Sequence, residues 1–345
     1  MLQLNETLKS ARDSYKLPAL GAAVIRNRKI DSIAVVGKRS LDRDDAIKPR
    51  DPFHIGSCTK SMTATLIAYL VDQRKLKWES TISELLPDIR SNIHSAYRHA
   101  TVEHLLTHRS GLPEDRTPNL GLFLQLRALG SHQRLKASEL ILQQEPVAEL
   151  GKQMLYSNGG YVVAGAIAEA VTGKSWETLM QELLFRPLGV KSAGFGAPKS
   201  GPQGHLRTSK GYQPMPASSP FADNPPVLAP AGTVHLNLQD WARYAIMHLS
   251  GHVEKKPPLL RKETYQRLHT PPQGSDYAMG WVVAQTSKTH RTVLQHAGSN
   301  GVWYALIALL PETGNGLLVA TNAGDPKAAD GVMQVLTTLY RQLDT

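Results

Sequence analysis

Ser57-Cys58-Thr59-Lys60, preceded by Phe53, Ile55 and Gly56 and followed by the apolar helical run Met62, Leu66, Tyr69 and Leu70, is the stretch from which the rest of the chain is read. A serine and a lysine three residues apart at the head of a helix share one face, with hydroxyl and amine close enough to share a proton. A serine oxygen attacks a carbonyl only when a neighbour removes its proton. A lysine does this once desolvation or a nearby cation lowers its pKa toward neutrality. The glycine before Ser57 and the periodic run after it predict a loop-to-helix junction, where the serine N–H has no intrahelical partner and can donate to an oxyanion. This is the only S-x-x-K in the chain. Taken alone, the same spacing is also common on solvated helix surfaces.

The chain around it is long enough for a large single domain or two intimate lobes: 345 residues, 41% hydrophobic and 20% charged, a composition that speaks against disorder. Its single cysteine, Cys58, excludes an internal disulfide framework and a cysteine-rich metal site. That cysteine adjoins Ser57, but successive helical residues diverge by about 100°, so it reads as a small core residue rather than the nucleophile. The net charge of +10 comes from 39 Lys and Arg against 29 Asp and Glu, scattered without a long basic run. A solvated basic surface is therefore expected, not a nucleic-acid partner. The 13 histidines never form H-E-x-x-H, and neither metal nor cofactor is expected. No stretch is apolar enough for a membrane-spanning helix. As numbered, the sequence reads as cytoplasmic, or as periplasmic or secreted if a signal peptide has been removed.

Residues 1–16 carry Leu2, Leu4, Leu8, Ala11 and Tyr15 at helical spacing. Residues 20–25 and 30–36, joined by Arg26-Asn27-Arg28-Lys29, read as a β-hairpin. Three more apolar strands are expected near 278–284, 302–310 and 316–321, ahead of a closing helix over about 326–343. Helix, two strands, a long middle, three strands and a helix predict one antiparallel five-stranded sheet built from both chain ends and flanked by terminal helices. The expected fold class is thus α+β, with residues 1–60 and 231–345 forming the sheet-bearing lobe and 61–230 a mainly helical one, the site lying between them. Within the latter, a helix from Asn158 to Thr172 stops at Gly173. Eight of the 22 prolines fall in 198–230, which predicts an irregular loop, either lining the site or crossing between lobes.

Two further clusters bear chemistry. Tyr156-Ser157-Asn158, the only Y-x-N in the chain, starts the 158–172 helix; a tyrosine at such a position also serves ordinary core packing. His296-Ala297-Gly298-Ser299 falls ahead of the strand expected at Val302–Leu310. A glycine there lets a substrate lie along a strand edge while the Ser299 N–H points at its carbonyl; the alternative is a plain turn with a surface histidine.

With these pieces in hand, the chain resembles the penicillin-recognising serine hydrolases: class C β-lactamases, D-alanyl-D-alanine carboxypeptidases and β-lactamase-like esterases. The resemblance runs from about residue 10 to 340. It rests on S-x-x-K at Ser57–Lys60, the Leu105–Leu112 run with its T-H-R-S-G, Y-x-N at Tyr156–Asn158, Ala229-Pro-Ala-Gly232, and H-x-G at His296–Gly298, all in family order. It implies a β-lactamase/transpeptidase-like fold and an acyl-enzyme on Ser57, with Lys60 and Tyr156 as a coupled proton relay in which either is the base. It also implies a substrate-binding role for Asn158, His296, Gly298 and Ser299, an oxyanion hole from the backbone N–H groups of Ser57 and Ser299, and a cleft position for Asp115.

Where class C β-lactamases carry K-T-G, this chain has His296-Ala297-Gly298, a group expected to titrate near neutrality in place of a fixed charge. The expected substrates are therefore carboxylic esters or D-configured peptide amides, with weak or no β-lactamase turnover and carboxylate substrates favoured at lower pH. The competing reading is a penicillin-binding sensor, or a non-turnover scaffold, of the same fold. An α/β-hydrolase is disfavoured because no G-x-S-x-G elbow is present.

Overall fold

The computed structural model describes residues 3–114, 120–255, 257–286 and 289–343. Its main sheet joins the two ends of the chain. Six antiparallel strands run in the order Lys29–Gly37, Ala19–Arg26, Asn315–Thr321, Tyr304–Leu310, Thr292–Ser299 and Val282–Gln285. The first hairpin closes as its sequence predicts: Arg26 pairs with Lys29, and Asn27 and Arg28 between them both take positive φ. That is the backbone of a two-residue turn matched to strand twist.

Both faces of the central strands are buried, which explains their near-continuous apolar runs. Leu20, Ala22, Val24, Leu306, Ala308, Leu317 and Val319 face the terminal helices, meeting Leu4, Leu8 and Ala11 of Leu4–Tyr15 and Ala328, Val332, Val335 and Leu339 of Pro326–Leu343. Ala19, Ala23, Ile25, Ala305, Ile307, Leu309, Leu318 and Ala320 alternate to the other face and join a larger core. The helices Thr59–Asp72, Asn158–Thr172 and Leu238–Ser250 pack in that core.

The helix Thr59–Asp72 is buried around almost its whole circumference, as a central helix must be. Three of its hydroxyls find carbonyls: Ser61 donates to that of Cys58, Thr65 to that of Ser61, and Thr63 to that of the remote Pro230.

The sheet has six strands, not five. The additional one, Thr292–Ser299, carries the H-x-G segment, and the strands expected at 278–284 and 302–310 lie at Val282–Gln285 and Tyr304–Leu310. In the new strand Leu294, His296 and Gly298 fill the buried side, so the usual apolar alternation is hidden by a histidine and a glycine. The proline-rich stretch is also more regular than expected. Gly204–Thr208 and Gly211–Met215 pair as a hairpin, and short helical turns at Pro226–Leu228 and Ala229–Gly232 follow. Four of its prolines sit where the piece tolerates a missing donor: Pro225, Pro226 and Pro230 at helix starts and Pro214 on the two-stranded ribbon.

Candidate active site

Ser57 stands where a short 3-10 turn, Gly56–Cys58, runs into the helix Thr59–Asp72. Gly56 has φ +50, and its place tolerates no side chain: a Cβ there would lie 2.5 Å from the Ser299 nitrogen. One turn on, Lys60 is fully buried. Its Nζ lies 3.1 Å from Ser57 Oγ, 2.5 Å from Asn158 Oδ1 and 2.8 Å from the Ala231 carbonyl oxygen. It also sits 4.8 Å from the centre of the Tyr156 ring and 5.5 Å from that of Tyr161. An ammonium has three N–H donors and fills all three contacts. A neutral amine in the same place donates to Asn158 and Ala231 and turns its lone pair toward the Ser57 hydroxyl. The geometry therefore accommodates both protonation states without moving a heavy atom.

Tyr156 and Asn158 are delivered by the start of the Asn158–Thr172 helix. The segment that leads into it is clamped by His108, one of the few non-glycine residues at positive φ. The Ser157 N–H donates to His108 Nδ1 at 3.1 Å, and the Leu155 N–H to the His108 carbonyl at 2.8 Å. The imidazole lies against the rings of Tyr156 (4.4 Å between centres), Tyr277 (4.6 Å) and Tyr161 (5.2 Å). Burial holds its pKa well below the usual histidine range, with Lys60 and His296 pushing the same way. A neutral His108 accepting at Nδ1 carries its proton on Nε2.

The strand Thr292–Ser299 closes the opposite side. A Cβ on Gly298 would fall 2.1 Å from the Ile55 carbonyl oxygen and 2.5 Å from the Ser57 nitrogen, so strand and turn meet backbone to backbone. The Ser57 nitrogen thus lies against Gly298 and the Ser299 nitrogen against Gly56, so the two segments that carry them are in direct contact.

His296 differs from expectation. It is buried, Tyr277 Oη lies 3.0 Å from its Nε2, and Nδ1 lies 2.6 Å from the Ala297 carbonyl. Nδ1 therefore carries the proton and Nε2 accepts from the tyrosine. Burial first, and Lys60 second, lower its pKa to about 3. Burial thus keeps it neutral where titration near neutrality was expected, and removes the charge on which a preference for carboxylates at lower pH would rest.

Ser57, Lys60, Tyr156, Asn158, His296, Gly298 and Ser299 thus converge from three remote stretches of chain, while Asp115 lies outside the described residues. Two members of the surroundings, His108 and Tyr277, were not singled out in the sequence. His108 stands inside the T-H-R-S-G run, which was itself the available signal. Cys58 is buried, with its thiol 3.2 Å from the His296 carbonyl and its pKa raised by desolvation, in keeping with a core role. Beside Asn158 opens a cleft of about 320 Å³, lined by the apolar Leu122, Leu126, Ile141, Val162 and Leu228 and by the polar Glu114, Gln144 and Asn224. Among the described residues no group of histidine, cysteine and carboxylate side chains could hold a metal, and no helix is long and apolar enough to cross a membrane.

A family model described as Beta-lactamase matches residues 4–339. Among curated proteins, the chain is 26% identical to unguisins hydrolase ungD′ of Aspergillus campestris over 98% of this chain and 65% of that one. It is 24% identical to penicillin-binding protein 4 of Amycolatopsis lactamdurans, with 98% and 88% covered. It is 23% identical to Protein flp of Staphylococcus aureus, with 93% and 62% covered. It thus spans under two thirds of the length of the first and third of these relatives. Among solved structures, the octameric penicillin-binding protein homologue from Pyrococcus abyssi superposes with a TM-score of 0.80 at 23% identity, covering 98% of this chain and 77% of the other. A D-stereospecific amidohydrolase from Streptomyces sp. does so with a TM-score of 0.74 at 22% identity, covering 96% of each.

Proposed function

The chain belongs to the Beta-lactamase family and has its β-lactamase/transpeptidase-like fold, and we propose that it is a serine hydrolase working through an acyl-enzyme on Ser57. The observation that carries this reading is the buried Lys60 amine, 3.1 Å from Ser57 Oγ and braced by Asn158 and the Ala231 carbonyl. Ser57 Oγ attacks the substrate carbonyl and its proton passes to Lys60 and Tyr156, which act as one coupled relay. The tetrahedral oxyanion is held by the Ser57 and Ser299 N–H groups, each such donor worth about 3 kcal/mol of barrier in comparable sites. The relay then protonates the departing alkoxide or amine, and water repeats the sequence to free Ser57.

The preferred substrates are carboxylic esters or D-configured peptide amides, with weak or no β-lactamase turnover. His296 supports this: a neutral imidazole that accepts from Tyr277 offers a substrate carboxylate no charge. The similar proteins include a hydrolase and a D-stereospecific amidohydrolase, which agrees with it. The cleft beside Asn158, aliphatic along Leu122, Leu126, Ile141, Val162 and Leu228 but also lined by Glu114, Gln144 and Asn224, suits an acyl group with both apolar and hydrogen-bonding parts. In this reading the site lies between a sheet-bearing lobe, residues 1–60 and 231–345, and the mainly helical 61–230.

The test is intact-mass spectrometry over time with benzylpenicillin, alongside turnover of a p-nitrophenyl ester, using Ser57→Ala as control. Ester turnover that falls at least about 10³-fold in Ser57→Ala, with no lasting penicillin adduct, is expected for an esterase or amidase. A long-lived adduct on the unmodified protein only, without turnover, would make it a penicillin-binding sensor.

A further inference from the structure

The proline-rich stretch contains a carboxylate that the mechanism above does not use. Asp223 is largely buried, and its two oxygens reach both backbones that meet at Ser57. On one side, His54 Nε2 lies 3.0 Å from each oxygen of Asp223, while His54 Nδ1 accepts the Gly56 N–H at 3.1 Å. Because Nδ1 accepts, His54 carries its proton on Nε2 and donates it to Asp223. The imidazole is completely buried, so this chain of two hydrogen bonds pins the residue just before the nucleophile. On the other side, Asn300 Nδ2 donates to Asp223 Oδ1 at 2.9 Å, and Asn300 directly follows Ser299. The Asn300 amide oxygen in turn accepts the Val302 and Trp303 N–H groups, fixing where the strand Thr292–Ser299 ends. The next residue, Asn224, donates to the Gly232 carbonyl at 3.0 Å, one residue past the Ala231 carbonyl that receives Lys60.

We propose that Asp223 is a positioning residue for the oxyanion hole, tying the Ser57 turn through His54 and the Ser299 strand end through Asn300 to one carboxylate. The chemistry needs a carboxylate there. Three donors converge on it, from His54, Asn300 and the Asn224 N–H, the last 2.7 Å from Oδ1. A carboxylate has acceptor sites for all three, whereas the isosteric amide has one oxygen and turns two N–H groups toward donors. Backbone donors stabilise an oxyanion only if they are aimed before the charge appears, so releasing either tether lowers the rate without removing any group that touches substrate.

This inference rests on the hydrolase reading, and its test separates the two. In Asp223→Asn and, independently, Asn300→Ala, kcat for a p-nitrophenyl ester is expected to fall about 10- to 100-fold with KM changed less than about threefold. The ratio of oxo-ester to matching thionoester turnover is expected to fall about tenfold, because sulfur gains little from the hole and loses little when it loosens. Amide hydrogen exchange, read by mass spectrometry, should rise in the peptides spanning 54–58 and 298–302 of both variants. A folded variant with an unchanged oxo-to-thiono ratio and unchanged exchange overturns the positioning role. Loss of the hydrolase reading appears differently, as ester turnover that survives Ser57→Ala. The exchange result then decides whether Asp223 holds the two segments.

Discussion

Two sets of imidazoles, all buried except the half-buried His252, reach the same helix, Thr59–Asp72, by different bonding. His108 and His296 surround Lys60, and each is paired with backbone rather than with another histidine: the Ser157 N–H for one, the Ala297 carbonyl for the other. The second set is a chain. His252 Nε2 lies 2.5 Å from His269 Nδ1, His269 Nε2 lies 2.9 Å from His248 Nδ1, and His248 Nε2 lies 3.2 Å from Thr65 Oγ1. Thr65 spends its proton on the Ser61 carbonyl, so it accepts from His248. That fixes every tautomer outward: His248, His269 and His252 each donate from Nε2 toward the helix.

Burial is the first cause of the lowered pKa in both sets. The second cause differs: Lys60 for His108 and His296, neighbouring histidines for His248 and His269. Equal burial can therefore serve chemistry in one place and architecture in another. What separates them is whether a titrating group faces the nucleophile or only its own kind.

One substitution on each side separates the two roles. Lys60→Met should lower kcat/KM for an ester by about 10³-fold or more while shifting stability by no more than about 1 kcal/mol, since the cost of desolvating the amine disappears along with its hydrogen bonds. Urea denaturation beside steady-state kinetics checks both halves. His269→Ala should do the reverse. It leaves a cavity and two unpaired imidazole nitrogens, costing about 3 kcal/mol of stability, while kcat/KM stays within about twofold of the original. If His269→Ala instead lowers activity with stability intact, the chain belongs to the site.

A smaller effect is the pH dependence of stability. His248 and His296 both have folded pKa values near 3, below the usual histidine value of 6.5. Between those limits the unfolded chain binds more protons. Their contribution is therefore fully present above about pH 6.5 and is lost as pH falls toward 3. Each adds up to about 1.4 kcal/mol per pH unit to the slope in that window. His248→Gln and His296→Gln should each flatten urea-midpoint curves between pH 4 and 6 by that much. The smallest effect is the most discriminating. In the Lys60→Met background, NMR titration should find His296 moved up toward its ordinary value and His248 unmoved.

Much of this molecule is visible in its local patterns. The helix Asn158–Thr172 ends at Gly173, whose φ of 70 is the left-handed cap that its position suggests, and the 19–37 hairpin and the closing helix follow their apolar periods. Ser57, Lys60, Tyr156 and Asn158 were identifiable because the spacing i, i+3 and a helix start impose geometry within a few residues. The strand Thr292–Ser299 escaped because its buried positions hold His296 and Gly298, chosen by the Ser57 turn pressed against them rather than by the hydrophobic effect. Asp223 escaped for a similar reason: its partners, His54 and Asn300, are remote in sequence and share no period with it.

Which residues could react was legible from residue type and short spacing alone, a nucleophile, an amine and a phenol in family order. Their state is set by packing. Whether His296 titrates, whether Lys60 is dry, and whether two backbone N–H groups meet all depend on how much water remains and on which charges lie within a few ångströms. Those quantities arise only when distant segments pack together.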